Sequence, residues 1–277
     1  MATPIGNLAD LGLRTIHVLA LADTVACEDT RVGGALLQHL GLRKPLMALH
    51  QHNEAGAAGH VIHRLAAGER VALVSDAGTP AVSDPGARLV AAVAAAGHRV
   101  LPIPGPSSAL AALSVAGDAV GHGFAFQGFL PAKGREREAA LAAVLAAPGT
   151  QVLFEAPHRI ELLAASLAAA APTRTLTLCR ELTKQFETVH TGPAGALPDW
   201  LAGDPNRLRG EFVLVLHAEP PADDTDDDGV TPAARHALEV LQRELPLKQA
   251  VALAAEIAGA PRKALYTLAL SRRDDPS

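Results

Sequence analysis

The feature that most constrains this chain is a recurrence. A short apolar run gives way to a polar loop rich in Gly, Pro, Ser and Asp, and an alanine-rich helical stretch follows. Residues 71–75 read as a buried strand and residues 86–96 as a helix opened by Asp84-Pro85, an N-cap acid followed by a first-turn proline. Residues 99–103 return as a strand closed by Pro104-Gly105-Pro106. Strand, helix and strand joined by short loops make a βαβ unit and therefore a parallel sheet. The alanine-only helical faces let helices lie close on such a sheet.

From Ser107 the texture repeats with different parts. Residues 107–116, 135–146 and 159–171 read as helices, and 124–129, 150–155, 175–180, 188–191 and 212–217 as strands. The expected class is α/β, with an N-terminal domain over 1–105 and a second α/β domain over 106–218. Pro220, Pro221 and the cluster Asp223, Asp224, Asp226, Asp227 and Asp228 mark an acidic linker over 219–230. A small helical region over 231–277 follows, with helices at 232–244, 247–258 and 262–270. A length of 277 residues suits two such units with an appendage.

Composition narrows the function classes. Hydrophobic residues make up 49% of the chain, enough for packed cores. The longest nearly apolar stretch, 162–172, is too short for a bilayer, and no Lys or Arg precedes Arg14, so neither a membrane span nor a basic leader is expected. Cys27 and Cys179 form no CxxC pair, which points to a cytoplasmic protein. The net charge is −5, but the aspartate cluster of the linker holds five of the 29 acids, and setting those aside leaves 24 acids against 24 Lys and Arg. With six Phe, one Tyr and one Trp, neither charge nor aromatics would by themselves indicate a nucleic-acid binder.

Absent motifs exclude more. The chain has no GxxxxGK[ST] loop, no GxGxxG after a strand and no HExxH. His50 and His52 are close, but nothing nearby completes a tetrahedral set, so no metal site is expected. What remains are polar loops at strand ends. SDAGTPAVSDPG leaves one strand for a helix, and ligands of open parallel sheets bind outside the carboxyl ends of strands. Gly78 permits close backbone approach, Asp76 and Thr79 offer hydrogen bonds, and Asp84 reads as the cap of the next helix. PIPGPSS, EAPHR and RELTKQFE end further strands, while TPIGNLAD and CEDTR add polar clusters near the start.

In order, the strings ATPIGNLAD, CEDTR, HQHNE, SDAGTPAVSDPG, PIPGPSSA, FQGFLP, FEAPHR, RELTKQFET and GEFVLVL resemble the bacterial enzymes that methylate the 2′-hydroxyl of a decoding-centre cytidine in small-subunit (16S) ribosomal RNA. These belong to the tetrapyrrole (corrin) methylase superfamily. The resemblance spans Ala2 to about Leu216, and LPLKQAVALAAEIAG matches the helical C-terminal region. A corrin-precursor methylase on the same fold is the alternative, disfavoured by EDTR and RELTKQFET. A non-catalytic ribosome-assembly factor that binds RNA is disfavoured by the intact SDAGTP and PIPGPSSA loops. The resemblance implies S-adenosylmethionine in a cleft between two α/β domains, and a homodimer. It implies cofactor contacts from Pro4, Gly6, Asp76, Ala77, Gly78, Thr79, Pro80, Pro104, Gly105, Ser107 and Ser108, closed over by Gly128, Glu155, Pro157 and His158. In relatives a hydrophobic strand precedes ATPIGN; here the chain starts at Met1, so that strand is expected to be missing or reduced.

A sulfonium methyl is already a strong electrophile, so positioning supplies most of the acceleration. A ribose hydroxyl has a pKa far above neutral, so a carboxylate or imidazole near the oxygen helps to remove its proton. Catalytic candidates are Glu28, Asp29, His50, Glu54 and Glu181, with Arg31 and Lys184 orienting phosphate or pairing with those acids. Several of these also read as internal ion pairs, and no single base stands out. Lys133, Arg135, Arg137 and Arg159 are the candidate RNA contacts.

Overall fold

The computed structural model describes residues 1–49, 54–220 and 230–271. Two compact units result, Met1–Ala218 and Glu219–Ser277. The first opens with α1 (Leu13–Leu21), β1 (Thr24–Cys27), α2 (Thr30–His39), β2 (Leu46–Ala48), α3 (Glu54–Ala66), β3 (Val71–Leu73) and α4 (Ala87–Ala95). These strands form a parallel sheet in the order β2-β1-β3. One apolar cluster gathers Leu19, Val25, Leu37 and Val74; another joins Leu49 and Val61 to Leu89 and Val93 of α4.

The chain then builds α5 (Ser108–Ala116), β4 (Phe124–Phe129), α6 (Gly134–Ala146), β5 (Thr150–Glu155), α7 (Ile160–Ala170), β6 (Thr175–Arg180), β7 (Thr188–Pro193), α8 (Leu197–Ala202) and β8 (Phe212–Leu216). Its sheet runs β4-β5-β8-β6-β7, with only the β4–β5 pair parallel. Inward side chains alternate between two clusters, as the two-residue strand period requires. Leu153, Leu176, Leu178, Leu214 and Leu216 meet α7 and α8, while Val152, Cys179, Val213 and Val215 meet α5.

Two local expectations are corrected. Residues 99–103 join no ladder: among the described backbone hydrogen bonds between segments, this stretch has one, from the Ala2 N–H to the Ile103 carbonyl. Asp84 does not cap α4. The cap position is Gly86, and the acceptor comes from elsewhere in the chain.

The second unit holds α9 (Pro232–Gln242), α10 (Leu247–Ala258) and α11 (Arg262–Ser271) around Leu238, Val251, Ala254 and Leu265. Thr231 accepts the Ala234 N–H and caps α9 ahead of Pro232, while Gly259 ends α10 in the left-handed region. Most of the expected acidic linker lies outside the described residues. Among the described residues no helix is long and apolar enough to cross a membrane.

Candidate active site

The loops leaving β1 and β3 meet at the carboxyl end of the parallel sheet. The Asp76 carboxylate accepts the Asp29 N–H at 3.0 Å, which ties CEDTR to SDAGTP. Thr3 and Gly78 exchange backbone hydrogen bonds of 2.9 and 3.1 Å, and the Thr3 hydroxyl donates to the Ser75 carbonyl at 3.1 Å. Ser75 Oγ in turn donates to the Gly78 carbonyl at 2.8 Å, and Thr79 Oγ1 donates to the Pro106 carbonyl at 3.1 Å. The segments holding Pro4 and Gly6, Asp76 to Pro80, and Pro104 to Ser108 are therefore one woven structure. Ile5 anchors it on the second sheet beside Leu182 and Val213, and the Gly6 backbone lies against the Lys184 side chain.

A place for a small polar ligand fits this weave. Gly78 has φ +77°, and a Cβ there would sit 3.4 Å from Ile5 and face the Pro106 carbonyl. A side chain would thus occupy the space where the loops converge. Thr183 Oγ1 is buried beside Gly6 with no hydrogen-bond partner among the described residues, and Thr183 itself is held at φ +65°. An unsatisfied hydroxyl on a strained backbone beside these loops is free to hydrogen-bond a ligand there. Thr183 was not anticipated from the sequence; its only signal was membership of RELTK.

The remaining candidates divide sharply. Asp29 caps α2 through the Arg31 N–H at 2.8 Å and also grips the Arg31 guanidinium, which holds its carboxyl down to about 2. Arg31 is otherwise exposed. Glu54 is buried, and its Oε1 accepts the Gly86, Arg88 and Leu89 N–H groups at 2.9 to 3.1 Å. It is the N-cap acceptor of α4, reached from α3. Burial opposes ionisation of Glu181, but the Glu211 N–H and the Lys184 ammonium outweigh it and hold the carboxyl below its usual range. Lys184 also bonds Glu211 Oε2 at 2.9 Å, so it bridges two acids and leaves β6 and β8 locked together. Glu211 was not anticipated from the sequence. His50 lies outside the described residues.

Arg137 and Arg159, expected to face RNA, turn inward. Arg137 Nη2 bonds Glu155 Oε2 at 3.0 Å and Arg159 Nε bonds Oε1 at 2.6 Å, around a Glu155 side chain with no exposed surface. The two guanidiniums also reach the Pro131 and Leu130 carbonyls. Glu155 therefore holds the loops after β4 and β5 together. Pro157 and His158 beyond it are exposed, and among the described residues no hydrogen bond joins 155–158 to the Thr3–Gly78 weave. Gly128 is closer to it: a Cβ there would stand 2.9 Å from Ser83 Oγ. Lys133 and Arg135 are exposed at the head of α6.

Two glycine-threaded loops at strand ends, woven together between a parallel and a mixed sheet, define a class. The model of the tetrapyrrole (corrin/porphyrin) methylases matches residues 2–198, and the chain belongs to this family of S-adenosylmethionine-dependent methyltransferases. Residues 228–273 match the RsmI C-terminal HTH domain. The chain is 45% identical over 272 residues to ribosomal RNA small subunit methyltransferase I of Escherichia coli O157:H7, covering 98% of this chain and 93% of the relative. It is 46% identical over 275 residues to the protein of that name in Pseudomonas aeruginosa, covering 99% and 96%. Among solved structures it shares the fold of a diphthine synthase, with 16% identity, a TM-score of 0.59, and 77% and 87% of the two chains covered.

Proposed function

We propose that this chain transfers a methyl group from S-adenosylmethionine to the 2′-hydroxyl of a decoding-centre cytidine in small-subunit ribosomal RNA. The observation that carries the reading is identity of about 45% over nearly the whole length to proteins named for methylation of that RNA, C-terminal helices included. S-adenosylmethionine supplies a methyl already activated as a sulfonium. The residues 3–6, 75–80 and 104–108 hold it, and the acids Glu28 and Asp76 give the region a negative field suited to a cationic sulfur.

Exposed cations receive the RNA. Lys133 and Arg135 serve on the first unit, and on the second a shallow groove is lined by Lys248, Arg262 and Lys263 with Tyr266. Phosphate contacts of this kind fix register and carry no base information. The working form is a homodimer in the cytoplasm. Large exposed apolar side chains on the first unit, among them Leu13, Leu101 and Leu110, support an interface there.

The test is transfer of labelled methyl to small subunits purified from cells that lack this modification, with the labelled nucleotide mapped. Label on one cytidine ribose is the expected result. Label on a base, or none from protein that binds the cofactor, overturns the reading. Replacing Lys248, Arg262 and Lys263 together by Ala should weaken subunit binding and reduce its salt slope by about three, measured by filter binding across ionic strength.

A further inference from the structure

We propose that Asp84 is the group that takes the proton from the acceptor ribose hydroxyl; the proposal rests on the 2′-O-methylation reading above. Among the strand-end loops that build the site, every other described carboxylate is committed; Asp10 lies exposed on the turn Leu8–Asp10 before α1. Asp29 is bound by Arg31 and by the head of α2, Asp76 by the Asp29 N–H, Glu54 by three amides of α4, and Glu181 by Lys184 and the Glu211 N–H. Glu28 is engaged as well. Asp84 receives neither hydrogen bond nor ion pair from any described residue, and the helix it would ordinarily cap is capped by Glu54 instead.

The placement is also maintained at a cost. Ala81 and Ser83, directly before Asp84, hold φ +65° and +62°, a conformation non-glycine residues rarely adopt. Ser83 is at the same time pressed against the Gly128 bulge of β4. The loop thus carries Asp84 from the cofactor-holding turn at Gly78 and Thr79 toward α4 along a constrained path. Asp84 lies within electrostatic reach of Glu28 after β1 and Asp76 after β3, at the carboxyl end of the parallel sheet. Charges on the adjoining segments include the Asp29–Arg31 pair bound to Asp76, Glu54 at the head of α3, and Arg88 in the first turn of α4.

Burial first, then Glu28 and Asp76, push the Asp84 carboxyl up to about 6. It is therefore ionised at neutral pH and more basic than an ordinary aspartate, the combination a general base needs. In the step, the 2′-oxygen forms its bond to the methyl carbon while the electron pair of the breaking sulfur–carbon bond stays on sulfur. The hydroxyl proton passes to a carboxylate oxygen of Asp84 and from there to water.

Asp84→Asn keeps shape and removes the acceptor. Three measurements decide: S-adenosylmethionine affinity by calorimetry, single-turnover methyl transfer to small subunits from pH 5 to 9, and thermal melting of the ligand-free protein over the same range. The expected result is unchanged cofactor affinity with transfer slowed about 10²- to 10⁴-fold. The wild-type rise in rate through about pH 6 should disappear in the variant, together with the corresponding pH dependence of melting. Transfer within threefold of wild type, or a slower rate with the same pH profile, overturns the proposal. Where the Asn variant does not fold, Asp84→Glu decides: a displaced pH profile with activity retained supports the assignment, and an identical profile sinks it. A wild-type protein that binds cofactor yet leaves small subunits unmethylated defeats the substrate reading, and the Asp84 assignment falls with it.

Discussion

Glu155 and Asp84 are both acids at the carboxyl ends of strands, and the molecule treats them in opposite ways. Glu155, on the mixed sheet, has no exposed side-chain surface and is saturated by two guanidiniums and its neighbour's amide. Asp84, past β3 of the parallel sheet, is half-buried, faces two like charges, and has no partner among the described residues. Charge at a strand end is thus not a mark of function by itself. What separates the structural acid from the reactive one is whether the fold has already satisfied it.

Single substitutions tell the two acids apart. Glu155→Ala strands the buried Arg137 and the partly buried Arg159 and should cost about 3–5 kcal/mol of stability in denaturant unfolding. A loss below 1 kcal/mol would mean that water reaches the pair and that the contrast with Asp84 is shallow. Glu54→Ala frees three α4 amides and should cost about 2 kcal/mol by the same measurement. Its cofactor affinity should fall no further than the unfolded fraction explains.

Asp84→Asn should move the other way. The folded carboxyl titrates near 6 against an ordinary 3.8, so the native state binds the proton more tightly than the unfolded chain between those values. Wild-type stability contributed by this group is therefore full below about pH 4 and lost as pH rises through 6. At pH 7.5 the variant should melt slightly higher than wild type, by under about 1 kcal/mol once solvent screening is allowed for. The difference should vanish below pH 4. Equal melting at every pH would place Asp84 with the satisfied acids.

The second half of the main unit was legible because its strands are five or six residues long and alternate with alanine-rich helices. The first seventy residues revealed their loops and not their elements. β2 has three residues and β1 four, too few to show a period. α2 carries Gly33-Gly34 inside it, which local propensity reads as a break. Residues 99–103 look like a strand because they are apolar, but a strand is made by its neighbour, and there the neighbouring backbone contributes one hydrogen bond. The site was legible as loops for the same reason. Which acid does what was not, because the partner of Gly86 is 32 residues away and that of Glu155 is 18 residues back in one of its two pairs.

The contact between Ser83 and Gly128 has a consequence over descent as well as in the folded molecule. Gly128 has φ +64° at the β4 bulge, and any side chain there meets the Ser83 hydroxyl at 2.9 Å. Positions 83 and 128 do not therefore drift independently: a Cβ at 128 has to be matched by a Ser83 hydroxyl that turns away or is lost, beside the Asp84 it precedes. The two sites, 45 residues apart in sequence, are inherited as one character, and a change at either should be found with a compensating change at the other.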